Sequence, residues 1–388
     1  MYTRLLTIAL ISCSFLAIAQ PHEAPLADTV AQEPVKSKLY NLDFLLRAGA
    51  HVTDFTSADR ASNFNLDEAR IGIYGDYNDQ LSYTIRFRLN RSFVPLSQDN
   101  SPNALDFAYL KYKFGRDHAW SITAGKQASG VGSFEFDNSP LYEHAYSEFI
   151  NYMINLFVVG GSLSYELNPQ HRLSILGYST TNSSFSEHLA KNGFVAGEAE
   201  ASKTPLGGFL TWNGSFLDKK FLTLWSYNIA QFAKGQNTHN IALGNKYQGD
   251  KQQVYLDFQY SHFDYDYAFV ASNFINNYKQ IGNNAPTASN NINYKSVVLR
   301  YDQYISPKWE IALKGAYETA SAPKDKTIGK DFRKVWTYFA ALQHKPYKQK
   351  DLRFFLAYVG NSIAYSSKIQ QSSEQANRLT LGTYFTIP

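Results

Sequence analysis

Apolar and polar side chains alternate over most of the chain that follows residue 42. In residues 81–91, LSYTIRFRLNR, apolar side chains occupy the odd positions up to Leu89, and polar ones, Arg86 and Arg88 among them, occupy the even positions. Successive side chains of a β-strand point to opposite faces, so this spacing gives a strand with one apolar and one polar face. The same period of two recurs at 44–52, 68–77, 108–114, 254–260 and 309–317. The pattern predicts an all-β protein.

The connections between these segments alternate between short and long. The short ones lie at 78–80, 115–118, 168–171, 217–220, 248–251, 306–308 and 346–350. The others are mostly longer and polar, at 91–103, 128–156, 181–204, 263–292, 320–332 and 361–377, with more modest ones at 55–62 and 232–238. A soluble β-sandwich, the alternative, gives no reason for this alternation, whereas an outer-membrane barrel has tight turns at its periplasmic rim and long loops outside. Seven inner turns and eight outer loops predict a transmembrane, up-and-down antiparallel β-barrel of about sixteen strands.

The N-terminus has the layout of a secretory signal peptide. A basic residue precedes an apolar run that ends at Ala19, with small residues before the expected cleavage site. We therefore predict a signal peptide at 1–19, a flexible periplasmic leader at 20–41 and the transmembrane barrel at 42–388. Lipidation of Cys13 is the alternative, against which the apolar run continues past that residue.

Composition narrows the classes of function. Cys13 is the only cysteine, so the mature chain offers no disulfide, no thiolate metal site and no cysteine nucleophile. The net charge of +4 is too small to suggest nucleic acid as a partner, and no G-x-S-x-G, P-loop, H-E-x-x-H or C-x-x-C motif occurs. We expect no enzyme, no cofactor and no metal site. The trio His262, Asp264 and Asp266 is typical of a solvated aromatic loop rather than of a calcium site.

The first four predicted strands carry basic residues on their polar faces. They are Arg47, Arg70, Arg86 and Arg88, followed on the fourth strand by Lys111 and Lys113. An arginine that faces lipid near mid-membrane costs about 2–4 kcal/mol, so these side chains are predicted to line the lumen. Asp257, Asp302 and Glu310 are expected on the opposite wall. A cationic wall predicts anion preference, and the alternative is an unselective pore whose opposed charges only keep the lumen wet.

Three stretches of the chain resemble the phosphate-selective porin O and P family. They are DEARIGIYGDYNDQLSYTIRFRL (67–89), LDFAYLKYKF (105–114) and WSITAGKQ (120–127). The resemblance implies a sixteen-stranded, often trimeric, anion-conducting porin whose third loop folds into the pore, and it adds Lys126, at the start of that loop, to the candidate pore-lining residues. The rest of that loop, up to residue 149, contains four carboxylates and neither Lys nor Arg. A phosphate site needs several converging cations or donors, so the sequence predicts a narrowed pore without predicting phosphate specificity.

These observations predict a porin of the bacterial outer membrane that passes small hydrophilic solutes and prefers anions, with phosphate as a candidate. Its partners would be outer-membrane lipid, the solutes themselves and, from the resemblance, further copies of the chain in a homotrimer. Two alternatives stay open. One is a general porin without selectivity, and the other is a ligand-binding or adhesin barrel with a closed lumen.

Overall fold

Sixteen antiparallel strands form one closed barrel in the computed structural model, which describes residues 39–56, 58–96, 98–279, 286–347 and 351–387. The predicted signal peptide and the leader up to residue 38 lie outside the described residues. Each strand pairs with its neighbours along the chain, and the first closes on the last, so the predicted architecture and strand number are confirmed. The strands are β1 Asn41–Phe55, β2 Ala61–Asp76, β3 Leu81–Arg88, β4 Leu105–Phe114, β5 Trp120–Ala128, β6 Phe157–Asn168, β7 His171–Ser179, β8 Leu206–Phe216, β9 Phe221–Ala233, β10 Gln236–Gln248, β11 Gln252–Tyr265, β12 Asn290–Ser306, β13 Trp309–Ala322, β14 Gly329–His344, β15 Leu352–Tyr365 and β16 Glu374–Ile387.

The predicted alternation of short and long connections holds at four of the eight outer connections, and the other four are about as short as the turns of the opposite rim. Four connections at one end are long, and they are 89–104 (loop 2), 129–156 (loop 3), 180–205 (loop 4) and 266–289 (loop 6). The helices are α1 Phe134–Asp137 and a π-helical turn Phe149–Met153 in loop 3, α2 Phe185–Lys191 in loop 4, α3 Val270–Tyr278 in loop 6, and a 3-10 turn Arg116–His118 at the opposite rim. Two outer connections that are clearly shorter than predicted lie between β9 and β10, which run on to a turn of only two residues, 234–235, and between β13 and β14, which leave only 323–328 between them. Across the part of the chain that the structure describes, no helix has the length and apolarity needed to cross a membrane.

Alternating burial along the strands separates lumen-facing from outward-facing side chains. On β11, Tyr255 and Asp257 are buried in the interior, whereas Phe258, the residue after Asp257, is 44% exposed. On β4, Leu110 is 58% exposed and points outward. The barrel therefore has an apolar outer surface and a mostly polar inner one, as the sequence pattern predicts.

Two β-bulges place carboxylates where strict alternation would not. Where β1 pairs with β2, Asp67 has no partner and lies next to Glu68, the partner of Arg47. Where β3 pairs with β4, Asp106 has no partner and lies next to Phe107, the partner of Arg86. A bulge adds one residue to a strand and re-aims the side chains around it. Both aspartates consequently point into the lumen, toward arginines of neighbouring strands.

An apolar cluster fills part of the interior near the long-loop end of the barrel, and we call it the lumenal core. Its strand members, on β6 to β14, are inward-facing residues such as Leu176, Phe209, Phe263, Ile292 and Phe332. They pack against the second half of loop 3 and against α3. Burying one such side chain contributes about 1.5–3 kcal/mol. Loops 3 and 6 are therefore held inside the barrel by an ordinary hydrophobic core.

Candidate functional site: an arginine-lined cavity beside loop 3

Loop 3 crosses the lumen, and its segment 140–145, which we call the strap, is tied to both walls. Arg47 on β1 and Arg378 on β16 donate to carbonyl oxygens of the strap at 2.8 Å. From the opposite wall, Arg300 on β12 and Lys314 on β13 donate to other carbonyls of the strap at 3.0 and 2.7 Å. Carbonyl groups accept hydrogen bonds without cancelling the charge of the donor. The strap therefore divides the lumen, and its carbonyl groups cancel none of the charge of Arg47 and Arg378, which border the cavity.

Two glutamates of loop 3 are neutralised by the wall behind the loop. Lys314 Nζ donates to Glu135 at 2.6 Å and to Glu143 at 2.7 Å, and Arg300 donates to Glu143 at 2.6 Å. All four side chains are almost completely buried. Burial alone would raise the pKa of Glu143, but Lys314 and Arg300 outweigh it and hold that pKa at about 2. The negative charges of Glu135 and Glu143 are thus balanced by cations of the wall behind the loop and do not act on the open part of the lumen.

The two remaining carboxylates of loop 3 differ from each other. Glu148 forms a two-pronged pair with Arg333 on β14, at 2.6 and 2.7 Å. Asp137 borders the open part of the lumen instead, and burial raises its pKa, against the nearby positive charges of Lys246 and Arg172. Among the described residues, Asp137 is therefore the one carboxylate of loop 3 that borders the open lumen without a tight ion pair.

A cavity of about 850 Å³ lies on the other side of loop 3, against the first nine strands and β16. Its charged lining consists of seven arginines, which are Arg47, Arg70, Arg86, Arg88, Arg91, Arg172 and Arg378, and four carboxylates, which are Asp67, Glu68, Asp137 and Glu143. Because Glu143 is already neutralised from behind, the fixed charge on this side of loop 3 is positive.

Asp106 organises three of these arginines. Its fully buried carboxylate lies 2.9 Å from Arg70, 3.2 Å from Arg86 and 2.7 Å from Arg88. Arg70 and Arg88 stand directly opposite each other on β2 and β3. Like charges in that position destabilise a sheet, so the carboxylate between them makes the pair tolerable. The bulge that turns Asp106 inward is thus what permits two arginines to face each other here.

Several of the lining guanidinium groups keep unused donors. Arg86 and Arg88 meet Asp106 through Nε, and their terminal nitrogens donate no hydrogen bond to any residue in the described ranges. Arg86 is also stacked on Phe107, with 4.0 Å from its Cζ to the ring centroid, which fixes the plane of the group. Arg172 has its nearest carboxylate, that of Glu166, at 3.6 Å. A guanidinium has five N–H donors, so these groups offer free donors to a passing anion.

The structure brings together only part of the residue set predicted from the sequence. Arg47, Arg70, Arg86 and Arg88 share the cavity, although Arg47 also holds the strap. Lys111 and Lys113 lie on β4 toward the short-turn end, outside the cavity lining. Lys126 is 5% exposed and donates to Ser101 of loop 2 at 2.8 Å, so it fastens that loop and does not border the cavity.

The prediction of an open acidic wall opposite the arginines is wrong. Asp257 is buried beneath loop 3, where it accepts hydrogen bonds from the Ser133 hydroxyl at 2.6 Å and from two N–H groups of the loop. Asp302 pairs with Arg300 at 2.8 Å, and Glu310 accepts from Arg353 at 2.7 Å. Each of the three carboxylates is hydrogen-bonded to loop 3 or paired with a neighbouring arginine, and none faces an open lumen, because the loop covers this wall.

Three cavity arginines were missed from the sequence. Arg172 shares the inward face of β7 with Leu176, so the period of two could have indicated it. Arg378 lies on the strand that closes on β1, and the closure of the barrel could have placed it near Arg47. Arg91 lies three residues beyond the end of β3, in loop 2, where the strand period gives no direction.

Several solved structures share the fold of this protein. The outer membrane channel DcaP of Acinetobacter baumannii has a similar structure, with a TM-score of 0.62 at 14% identity, over 90% of this chain and 97% of that one. An anion-selective porin from Comamonas acidovorans gives a TM-score of 0.57 at 12% identity, over 90% and 99% of the two chains. The trimer form of OmpT, an outer membrane protein of Vibrio cholerae, gives a TM-score of 0.51 at 12% identity, over 90% and 100% of the two chains. At these identities the likeness shows the fold alone. No curated protein sequence matches the chain.

The family is shown by sequence. The profile of the family described as phosphate-selective porin O and P matches residues 42–387, nearly the whole of the predicted barrel. Together with the closed barrel of sixteen strands, this places the protein in the bacterial outer membrane as a porin. The chain belongs to the phosphate-selective porin O and P family.

Proposed function

We propose that this porin conducts small hydrophilic solutes passively, without catalysis, and prefers anions over cations. The observation that carries the proposal is the division of charge by loop 3. Seven arginines border the cavity, while Glu135, Glu143 and Glu148 of the loop are paired with cations behind it.

The size of the cavity makes this fixed charge effective. At physiological salt the Debye length is about 8 Å, so an ion in a passage of similar radius is still influenced by charge on the wall. Fixed positive charge raises the local concentration of anions and repels cations. The free terminal donors of Arg86 and Arg88 could also replace part of the hydration shell of an anion.

Two finer properties belong to the same proposal. The family description and the anion-selective porin of Comamonas acidovorans support anion preference, and a clustered set of guanidinium groups suits phosphate as well as chloride. The trimer form of OmpT supports a homotrimer for this chain too.

Ion selectivity in a planar lipid bilayer tests the proposal. Under a KCl gradient the wild type should give a reversal potential on the anion side. The double variant Arg86→Gln and Arg88→Gln removes two charges but keeps hydrogen-bonding side chains, so its reversal potential should move toward the cation side, more strongly at low salt. Replacing Lys219 and Lys220, exposed in the turn at 217–220, by Gln is the matched control and should change little.

A wild type without preference for chloride would return the protein to the class of general porins. A wild type that conducts no ions would favour the ligand-binding barrel with a closed lumen. Replacing chloride by phosphate in the same chamber then separates general anion preference from phosphate selectivity.

A further inference from the structure

Three neighbouring outward-facing residues form a row across β12, β13 and β14. Lys295 on β12 stands opposite Thr319 on β13, and Thr319 stands opposite Lys334 on β14. Both lysines are exposed, and they alternate with buried lumen-facing residues, so their side chains point away from the barrel. Neighbouring strands lie about 4.8 Å apart, which puts the two lysine backbones about 10 Å from each other. Two flexible lysine side chains can converge on one group over that distance.

The height of this row is set by aromatic residues on the same strands. The next outward residues toward the middle of the barrel are Tyr317 and Trp336, whose rings lie 4.5 Å apart. Trp309 marks the other rim, eight residues from Tyr317 on β13. At about 3.3 Å per residue and about 40° tilt, these aromatic residues are roughly 20 Å apart along the barrel axis, close to the apolar band of about 25 Å in membrane barrels. The lysine row lies about 5 Å further out, at the level of lipid headgroups.

The row lies in the outer leaflet, because it is near the strand ends that meet the outer loops. β12 begins after loop 6, and β13 and β14 are joined by the outer connection 323–328. That connection and the start of β14 add Lys324, Lys326 and Lys330, all exposed.

Carboxylates that could neutralise this surface are engaged elsewhere. Asp325 is bound by Lys279, and Asp331 is hydrogen-bonded to Ser321. The outward carboxylate of β11, Asp264, contacts His262 at 3.2 Å and accepts from a backbone N–H at 3.0 Å. Neither Lys295 nor Lys334 has an ion pair or a hydrogen bond within the residues that the structure describes.

We propose that Lys295 and Lys334 form a binding site for the phosphate group of an outer-leaflet lipid, with the acyl chains of that lipid lying against Tyr317 and Trp336. The site recognises a phosphate that is held at headgroup depth, so free phosphate in solution is a poor substitute for the lipid. Each basic residue near a membrane surface contributes about 1 kcal/mol to binding of anionic lipid. This inference does not depend on anion preference in the lumen, because the two lysines face away from it.

Lipid titration of the purified full-length protein in neutral detergent micelles, followed by native mass spectrometry, tests the site. The probe is lipid A, a glycolipid with two phosphates, and it is compared with its dephosphorylated form and with inorganic phosphate. The wild type should bind lipid A more tightly than the dephosphorylated lipid. The double variant Lys295→Gln and Lys334→Gln should bind it about thirtyfold more weakly, the change that corresponds to two contributions of about 1 kcal/mol.

The controls separate this site from general attraction and from the pore. Lys251→Gln with Lys308→Gln removes two exposed lysines at the opposite rim and should leave binding unchanged. The conductance and reversal potential of the Lys295 and Lys334 double variant should equal those of the wild type. The proposal is overturned if that variant binds lipid A as tightly as the wild type, if both double variants lose binding equally, or if excess inorganic phosphate displaces the lipid.

Discussion

Asp106 limits the positive charge of the lumen, and removing its charge should increase anion selectivity. The Asp106→Asn substitution keeps the shape of the side chain but leaves Arg70, Arg86 and Arg88 without their shared counter-charge. The three guanidinium groups are 6%, 19% and 23% exposed, so Arg86 and Arg88 can take water or an anion in place of the carboxylate.

The size of the effect follows from the added unit charge. An ion that passes about 7 Å away changes its energy by about 0.6 kcal/mol in water, favourably for chloride and unfavourably for potassium. The ratio of anion to cation permeability therefore rises by about 1.2 kcal/mol, or about sevenfold, at low salt. Screening over a Debye length of about 8 Å reduces this to about twofold at physiological salt.

Reversal potentials in KCl gradients at several ionic strengths measure this change. Asp117→Asn is the matched control, because it removes the same charge from a residue that is 89% exposed at the short-turn rim. Heat-modified migration on SDS gels establishes that each variant is folded. A reversal potential that is unchanged, or that moves to the cation side, would refute the assignment of Asp106 as the charge that limits selectivity.

The remaining predictions concern the barrel, its faces and loop 3. The folded wild type should migrate anomalously on SDS gels until it is boiled, since a closed barrel leaves no free edge, and co-migration of heated and unheated samples would contradict the closed barrel. A label on cysteine introduced at Leu110 should report lipid and one at Arg88 should report water, and the reverse result would exchange the two faces. Glu143→Gln leaves Lys314 and Arg300 with one buried partner fewer, which should cost about 3–5 kcal/mol and lower the temperature at which loop 3 becomes accessible to protease. The pKa of Glu143 is lowered to about 2, so its contribution to stability is present above its ordinary pKa near 4.5 and is lost as pH falls toward 2; protease resistance that declines already at pH 6 would argue against this pair.

The period of two predicted the strands, and the lengths of the connections then predicted the barrel and with it the inward direction of the arginines, because burial on one face fixes every second residue of a strand. The period gave no direction for Asp67 and Asp106, since each stands at a bulge, where one inserted residue shifts the alternation and no local sequence signal marks the insertion. Without Asp106 the four arginines form an unopposed wall, and with it three of them become one organised group.

The tertiary contacts of loop 3 could not be predicted from the sequence. The carboxylates of the loop argued against phosphate specificity, yet Glu143 pairs with Arg300 and Lys314, which lie 157 and 171 residues away along the chain. Pairing at that separation depends on how the loop folds back into the barrel, and the strand pattern carries no information about it. The same fold-back explains why Asp257 is a ligand for the loop rather than part of an open wall.

The lumenal core gives the interior of this barrel a different response to temperature from its outer surface. The outward face exchanges water for lipid, and its backbone hydrogen bonds close around the barrel. The lumenal core, by contrast, separates apolar side chains from water, and that kind of stabilisation weakens on cooling because apolar hydration carries a large heat capacity. We therefore expect cooling to weaken the packing of loops 3 and 6 more than it weakens the closed wall, so that the width of the passage depends on temperature as well as on sequence.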